Sequence, residues 1–173
     1  MPLRRPPTRS PLAALLLGLG LGFGFGPAPA VASEGGLPLP RFVTVRAGEA
    51  NLRTGPGTRY PVEWVYRRPG LPLEIIAEFD TWRRVRDWQG IDGWMHAGML
   101  SGQRSVVITG EGRVLRERDD PASPVLARVE AGVVGRLLEC PAGSAACRIE
   151  AGGVRGWIDR TTLWGVYEGE VVR

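Results

Sequence analysis

Residues 50–62 read ANLRTGPGTRYPV, a Leu-Arg pair followed by a loop rich in glycine and proline. Glycine and proline supply the backbone angles that tight turns need, so this stretch predicts a strand that runs into a turn. Its landmarks recur further along the chain. Leu52-Arg53 matches Leu115-Arg116, and Pro61-Val62 matches Pro124-Val125.

Two further landmarks recur at the same distance. Gly93-Trp94 matches Gly156-Trp157, and Leu100 matches Leu163, so every pair keeps the offset of 63 positions given by 115 minus 52. A constant offset across four separate landmarks indicates an internal duplication without net insertion between them. The sequence therefore predicts two copies of one structural unit.

Each unit carries the signals of short strands. No long window shows the 3.6-residue apolar period of an amphipathic helix, and β-branched and aromatic residues cluster in short runs between turns. Five or six short strands in about 60 residues favour a small closed barrel, so we predict an all-β fold of two tandem barrels. The runs expected to form strands are residues 42–45, 62–65, 73–77, 82–86 and 93–96 in the first unit, and 106–108, 125–129 and 133–138 in the second.

The charge of the chain argues against a nucleic-acid partner. All 22 basic residues are arginines, and Arg4, Arg5 and Arg9 lie in the first ten positions. Removing these three from a net charge of +4 leaves +1, because every acidic residue lies later. A charge that small creates no field that would attract a polyanion, and we expect no nucleic acid as a partner.

The N-terminus has the three-part layout of a secretory signal. Residues 4–9 are basic, residues 12–25 are almost entirely apolar, and residues 30–32 read AVA, as a signal peptidase requires. We expect residues 1–32 to be a signal peptide, followed by a linker over residues 33–41. The protein would then be periplasmic or secreted.

A retained membrane anchor is the alternative interpretation of this leader. The apolar run over residues 12–25 is shorter than the roughly 20 residues that span a bilayer, and glycines interrupt it. Cleavage before Ser33 is therefore favoured. We expect no stable membrane insertion after cleavage.

The cysteines are Cys140 and Cys147, and in an exported chain they are expected to be bonded to each other. Their flanks, residues 136–139 and 148–150, read as the two strands of a hairpin. A bond between them would close a short loop and stabilise the fold by roughly 2–3 kcal/mol. A redox role would need a group that activates a thiolate, and the only histidine lies in the other unit.

These motifs resemble those of bacterial SH3-like (SH3b) domains. Residues 50–62 resemble the N-L-R-x-G-P-G-x-x-Y-x-V opening of the family, and residues 82–85 resemble its W-x-K-V strand. Residues 90–96 and 99–100 resemble its closing G-x-x-G-W-V and Y-L. The resemblance implies one domain over residues 42–102.

The second unit, which we expect over residues 103–168, departs from this pattern. Residues 114–116 and 153–158 match, but an acidic loop replaces Gly-Pro-Gly, and Ala145 within the cysteine loop stands where the first unit has Trp82. We therefore expect the first unit to be the one that binds and the second to support it.

The resemblance implies a ligand site between the first long loop and the hairpin loops, against exposed aromatic side chains. The candidates are Arg59, Tyr60, Trp82 and Trp88. Arg59 could pair with a peptide carboxylate, and Trp88 is a large aromatic residue at a turn, where a polar one would be expected.

Other residues are interpreted as structural. Trp94 and Trp157 each follow a glycine in a closing strand, and we expect them in the core or between the modules. The Arg83-Arg84-Arg86 cluster is expected to be a solvated strand face. His96 has no second histidine or cysteine in its unit, so we expect no metal site, and we expect no cofactor.

Three functions remain open. The favoured one is a non-catalytic module that recognises a cell-wall peptide or glycopeptide, plausibly peptidoglycan, mainly through the first unit. The second is an adaptor that binds an envelope protein. A wall-active enzyme is least favoured, because no Ser-His-Asp or Cys-His arrangement can be built from these residues.

Overall fold

The computed structural model describes residues 36–173, which form two seven-stranded antiparallel sheets. The expected signal peptide, residues 1–32, lies outside the described residues, as do the first positions of the expected linker. No helix within residues 36–173 is both long and apolar enough to cross a membrane.

The first sheet contains β1 (Arg41–Val45), β2 (Ala50–Arg53), β3 (Val62–Tyr66), β4 (Pro72–Phe79), β5 (Trp82–Arg86), β6 (Asp92–His96) and β7 (Leu100–Ser101), with a 3-10 helix at Ala97–Met99. The second contains β8 (Ser105–Ile108), β9 (Arg113–Arg116), β10 (Val125–Val129), β11 (Val134–Glu139), β12 (Ala146–Ala151), β13 (Val154–Asp159) and β14 (Leu163–Trp164), with a 3-10 helix at Arg160–Thr162.

The two sheets have the same topology. The first runs in the order β3-β2-β6-β5-β4-β1-β7 and the second in the order β10-β9-β13-β12-β11-β8-β14. Each strand of the second sheet takes the place that the strand numbered seven lower has in the first sheet. The predicted all-β fold of two tandem copies is therefore confirmed.

Each sheet curls around a core of its own. Leu52, Leu73 and Met95 are fully buried in the first barrel, and Leu115 and Ile149 are fully buried in the second. Side chains alternate between the two faces of a strand, so the residues on either side of these face outward. The Leu of each repeated Leu-Arg pair thus anchors the core while its Arg stays outside.

The repeated Gly-Trp pair is explained by a close backbone crossing. A Cβ added to Gly93 would lie 2.7 Å from Leu52 Cγ and 3.0 Å from the carbonyl oxygen of Arg53. At Gly156 it would lie 2.9 Å from both Leu115 Cβ and the carbonyl oxygen of Arg116. Only glycine lets β6 cross β2, and β13 cross β9, at this separation.

An aromatic cluster joins the two barrels. The ring of Phe42, from β1, lies edge-on to Trp164 at 4.9 Å between centroids and stacks at a tilt on Tyr167 at 4.6 Å. The Arg104 guanidinium lies 5.8 Å from the centroid of the same ring, within cation–π range. Phe42 thus fills the space between the barrels.

Polar contacts reinforce this junction. The hydroxyl groups of Thr44 and Ser105, both buried, are hydrogen-bonded at 2.6 Å. The Tyr167 hydroxyl donates to Glu74 of the first barrel at 3.0 Å. The described residues, 36–173, accordingly belong to one compact unit.

The last residues of the chain fold back on the second barrel. Val172 pairs with Cys140 through two backbone hydrogen bonds, of 2.9 and 3.1 Å. The Glu170 carboxylate accepts hydrogen bonds from both terminal nitrogens of Arg104, at 2.5 and 3.1 Å, and from the Tyr167 amide at 2.9 Å. This segment therefore holds Tyr167 in place against Phe42.

Substitution of Phe42 by alanine should weaken both barrels together. Phe42 is 8% exposed, and its removal leaves a cavity between Trp164 and Tyr167. We expect Phe42→Ala to lower the free energy of unfolding by about 3 kcal/mol in urea denaturation. Phe79→Ala is the matched control, because that ring is 61% exposed; its cost should stay below about 0.5 kcal/mol. Equal costs for the two variants would contradict the interface.

The Glu170 contacts should make stability depend on pH. Partial burial raises the pKa of Glu170, but hydrogen bonds from Arg104 and the Tyr167 amide, with the charges of Arg104 and Arg160, hold it below its ordinary value of 4.5. A carboxyl whose pKa is lower in the folded state stabilises the fold above the unfolded pKa and loses this effect as the pH falls through the folded one.

We therefore expect Glu170→Gln to lower the free energy of unfolding at pH 7, and by progressively less below pH 4.5, relative to wild type at the same pH. Urea denaturation across this range measures the difference. Glu168→Gln is the control, since Glu168 is exposed, and its stability curve should follow wild type. A cost for Glu170→Gln that is the same at every pH would rule out the ionic contribution.

Candidate functional site

A groove lies on the outer face of the second barrel, and we call it the second groove. Val114 and Arg116 of β9 and Trp157 and Asp159 of β13 form its floor, and its cavity is about 330 Å³. The acidic loop, residues 118–121, forms one wall. Ala145 and Ala146, from the loop between the cysteines, form the other.

The first barrel has a smaller groove in the same place, which we call the first groove. It measures about 250 Å³. Counterparts in the two grooves are separated by the repeat offset of 63: Asn51 and Val114, Arg53 and Arg116, Thr58 and Pro121, Trp82 and Ala145, His96 and Asp159. The groove is therefore a feature of the repeated unit.

The repeated arginine holds the long loop that borders each groove. In the first barrel Arg53 Nη1 donates to the carbonyl oxygens of Tyr60 at 2.7 Å and Thr58 at 3.1 Å. In the second, Arg116 Nη1 donates to the carbonyl oxygen of Ser123 at 2.8 Å. The Leu-Arg pair thus fixes the core with one side chain and the loop with the other.

The end of each groove is fixed by a capping side chain. His96 Nδ1 accepts the Gly98 amide at 3.1 Å, and Asp159 Oδ1 accepts the Thr161 amide at 2.8 Å. Both contacts start a 3-10 helix. His96 and Asp159 therefore play the same structural part in the two copies.

The family of the chain is shown by its sequence matches. The family model described as Bacterial SH3 domain matches residues 46–102 and again residues 109–165, which together are more than half of the chain. The chain belongs to the bacterial SH3 domain family. SH3b domains are generally binding modules, and here two of them stand in tandem.

Comparisons with other proteins add only distant likenesses. No curated protein matches the sequence. Two solved structures match at low similarity: NlpC2 from Trichomonas vaginalis, with 13% identity over 75% of this chain and 48% of that one, and NlpC1 from the same organism, with 12% identity over 79% and 51%. Both TM-scores are 0.34, which gives no support for a shared activity. The tandem SH3b chain spans about half the length of each of these two proteins.

The main difference between the SH3b grooves is one side chain. Trp82 occupies the first groove, is 9% exposed, and lies edge-on to His96 at 5.5 Å between ring centroids. Ala145 at the equivalent place leaves room above Trp157. The groove with more room therefore belongs to the second SH3b domain. The sequence motifs favour the first domain as the one that binds a ligand, and this stays a prediction.

The predicted site residues do not converge on one groove. Of the four, Trp82 lines the first groove, whereas Arg59 and Tyr60 contact each other on the loop, with the guanidinium 5.1 Å from the ring centroid. The Tyr60 ring covers Gly55, where a Cβ would lie 2.5 Å from Tyr60 Cδ1. These two residues stabilise their own loop.

Trp88 packs against the core of the first SH3b domain. Its turn is held by Asp87, whose Oδ1 accepts the amides of Gln89 and Ile91, both at 2.9 Å. The Tyr66 hydroxyl donates to Asp87 Oδ2 at 2.9 Å, and burial together with the Asp87 charge raises the pKa of Tyr66. The Asp87 carboxylate accepts the hydrogen bonds of the turn amides, and the Trp88 indole at this turn packs inward.

The expectation that Trp157 lies in the core or between the modules is wrong. Trp157 is half-buried and lies on the outer face, because its neighbour Ile158 takes the buried position. Sequence reasoning therefore missed the second groove. The signal that could have found it was the replacement of Trp82 by Ala145 opposite a retained Gly-Trp pair.

The arginines of β5 are engaged with acidic neighbours. Arg83 pairs with Glu78 at 2.9 Å, Arg84 with Asp92 at 3.0 Å and Arg86 with Glu74 at 2.6 Å. These ion pairs leave little net charge for an anion to recognise. Across residues 36–173, no three His, Cys, Asp or Glu side chains gather as metal ligands would.

The predicted disulfide is confirmed, and it shapes the second groove. Cys140 and Cys147 are bonded and fully buried in the second core. Within the loop they close, the Ser144 hydroxyl donates to Asp119 Oδ2 at 2.6 Å and accepts the Ala146 amide at 2.9 Å. The disulfide thus closes a loop whose Ser144 is hydrogen-bonded to Asp119 on the opposite wall of the groove.

Removal of the disulfide should destabilise the second SH3b domain. We expect the double variant Cys140→Ala, Cys147→Ala to lose roughly 2–3 kcal/mol of unfolding free energy in urea, because the short loop is no longer closed in the unfolded chain. Ser144→Ala, which keeps the disulfide, should cost about 1 kcal/mol. Unchanged stability of the double variant would show that the bond does not hold this region.

Proposed function

We propose that this chain is a non-catalytic binding module of the bacterial envelope, periplasmic or secreted, that recognises a peptide or glycopeptide of the cell wall. The observation that carries the proposal is the groove repeated at equivalent positions on both SH3b domains. A concave, partly apolar surface with a few fixed polar groups is the ordinary form of a ligand site.

The cysteines and the histidine of residues 36–173 are occupied with structural contacts. Both cysteines are in the disulfide, and His96 Nδ1 accepts a backbone amide. A nucleophile needs a neighbouring base that is free to take its proton. The contacts of these residues therefore support binding rather than turnover.

Both SH3b domains have a part in the proposed function. The first groove offers Trp82 and His96, in accord with the expectation that the first domain binds. The second offers more room and Trp157. We propose that recognition uses the outer faces of both.

An adaptor that binds an envelope protein is the alternative, and the edge strands favour it. Val62 and Trp64 of β3 are 42% and 48% exposed, and Val125 and Leu126 of β10 are 49% and 47% exposed. Each strand lies at the end of its sheet order, with one backbone edge unpaired within that sheet. Edge strands of this kind can pair with an extended segment of another protein.

Sedimentation with purified sacculi separates the two functions. We expect the exported chain to pellet with intact sacculi. Stem peptides released from sacculi by an amidase should compete with this pelleting, and the soluble glycan strands left by the same digestion should not, because they lack the recognised peptide. A monomeric globular protein of similar size and charge serves as the control for trapping.

Competition by the soluble glycan strands, without competition by the released stem peptides, would contradict recognition of the peptide. No pelleting at all, together with a protein captured by crosslinking from Trp64, would favour the adaptor instead.

A further inference from the structure

The second groove is ringed by charged side chains that make no ion pair with any residue in the range 36–173. Three are basic and three are acidic: Arg113, Arg116, Arg118, Asp119, Asp120 and Asp159. Nine ion pairs are formed elsewhere on the two barrels. These six side chains are among the described charges that take no part in those ion pairs, and they lie around one cavity.

Each of the three aspartates around the groove accepts local hydrogen bonds through only one of its carboxylate oxygens. Asp159 uses Oδ1 for the Thr161 amide, Asp120 uses Oδ1 for the Ala122 amide at 2.8 Å, and Asp119 uses Oδ2 for Ser144. The second oxygen of each carboxylate has no hydrogen bond within the described part of the chain. Carboxylates positioned in this way can accept from a ligand without first being ordered.

The basic members are placed in a similar way. Arg116 uses Nη1 for the Ser123 carbonyl oxygen, and its Nη2 donates to no described residue. Arg113 Nε is buried and has no hydrogen-bond partner among residues 36–173. Arg118 is exposed at the start of the acidic loop. Guanidinium groups arranged at the mouth of a cavity suit a carboxylate, which they bind with charge-assisted hydrogen bonds.

The first barrel lacks this ring of charge. Five of the six positions are uncharged there when histidine is neutral, and only Arg116 keeps an arginine counterpart, Arg53. The other counterparts, again 63 positions earlier, are Ala50 for Arg113, Gly55 for Arg118, Pro56 for Asp119, Gly57 for Asp120 and His96 for Asp159. The second copy thus combines the wider cavity with charges of both signs that the first copy does not have.

We infer that the second groove binds a short peptide segment that carries both a free carboxylate and a free ammonium group, with a small aliphatic body against Trp157. Three positive and three negative side chains give the ring no net charge, so a ligand with both signs fits it better than a polyanion or a polycation. The apolar part of such a ligand would lie among Val114, Pro121 and Ala145. This inference rests on the proposed function, because it takes a peptide as the ligand class.

Titration of the full exported chain with trialanine peptides, followed by NMR, tests the inference. Trialanine with both ends free should bind, and N-acetylation or C-amidation should each weaken binding at least tenfold, since each removes one charge.

Two variants locate the site. Ala145→Trp restores the indole present at the equivalent place in the first barrel, and it should abolish binding; Ala145 is exposed, so the fold should tolerate the change. Ala131→Trp places the same bulk on the second barrel outside both grooves, where Ala131 is also exposed, and should leave trialanine binding unchanged.

Two further variants assign the charges. Asp120→Asn keeps the Oδ1 contact with the Ala122 amide but loses the charge, so free and N-acetylated trialanine should then bind alike. Arg118→Gln should remove the difference between free and C-amidated trialanine. Each variant should leave the preference at the other end of the peptide intact, because the two effects involve separate groups.

Failure of free trialanine to bind would overturn the inference, as would equal binding of the blocked peptides, survival of binding in Ala145→Trp or its loss in Ala131→Trp. Sedimentation with sacculi keeps the two proposals distinguishable. Pelleting without trialanine binding would leave the proposed function standing and remove the zwitterionic site. Trialanine binding without pelleting would support the zwitterionic site and remove the proposed function.

Discussion

In each barrel two neighbouring strands meet at a backbone contact that has no room for a Cβ atom. At Gly93 and Gly156 the closing strand lies against the Leu-Arg strand so tightly that any side chain would collide with the leucine or with the following carbonyl group. The crossing directs the next residue outward and brings the arginine beside the loop it holds. The groove on the outer face therefore depends on the same contact that closes the core.

Much of the fold could be read from the sequence because its signals are local or periodic. The offset between Leu52 and Leu115 predicted the duplication, and the flanks of Cys140 and Cys147 predicted a hairpin with a disulfide; the structure has both. These features depend on residues that are close in sequence or repeated at a fixed distance. The family followed from the same motifs.

The candidate site was harder to predict, because it depends on which outward side chains meet across loops. Tyr60 covers the glycine of its own loop and Trp88 turns inward, and neither contact has a sequence signal. The acidic loop and Ala145 looked like losses from the family pattern. In the structure they widen a groove and ring it with charge, so departures from the motif marked the altered site better than its aromatic residues did.

The junction around Phe42 has a consequence for ligands with more than one recognition point. Hydrogen-bonded hydroxyls, an aromatic cluster and the folded-back C-terminal segment hold the two domains together, and only residues 102–104 separate β7 from β8. A flexible tether would let two sites adapt to many spacings, whereas a rigid one gives avidity only when the spacing of the ligand matches that of the sites. Under the proposed function, the tandem pair would thus bind most tightly to polymers whose repeat length matches the fixed distance between its grooves.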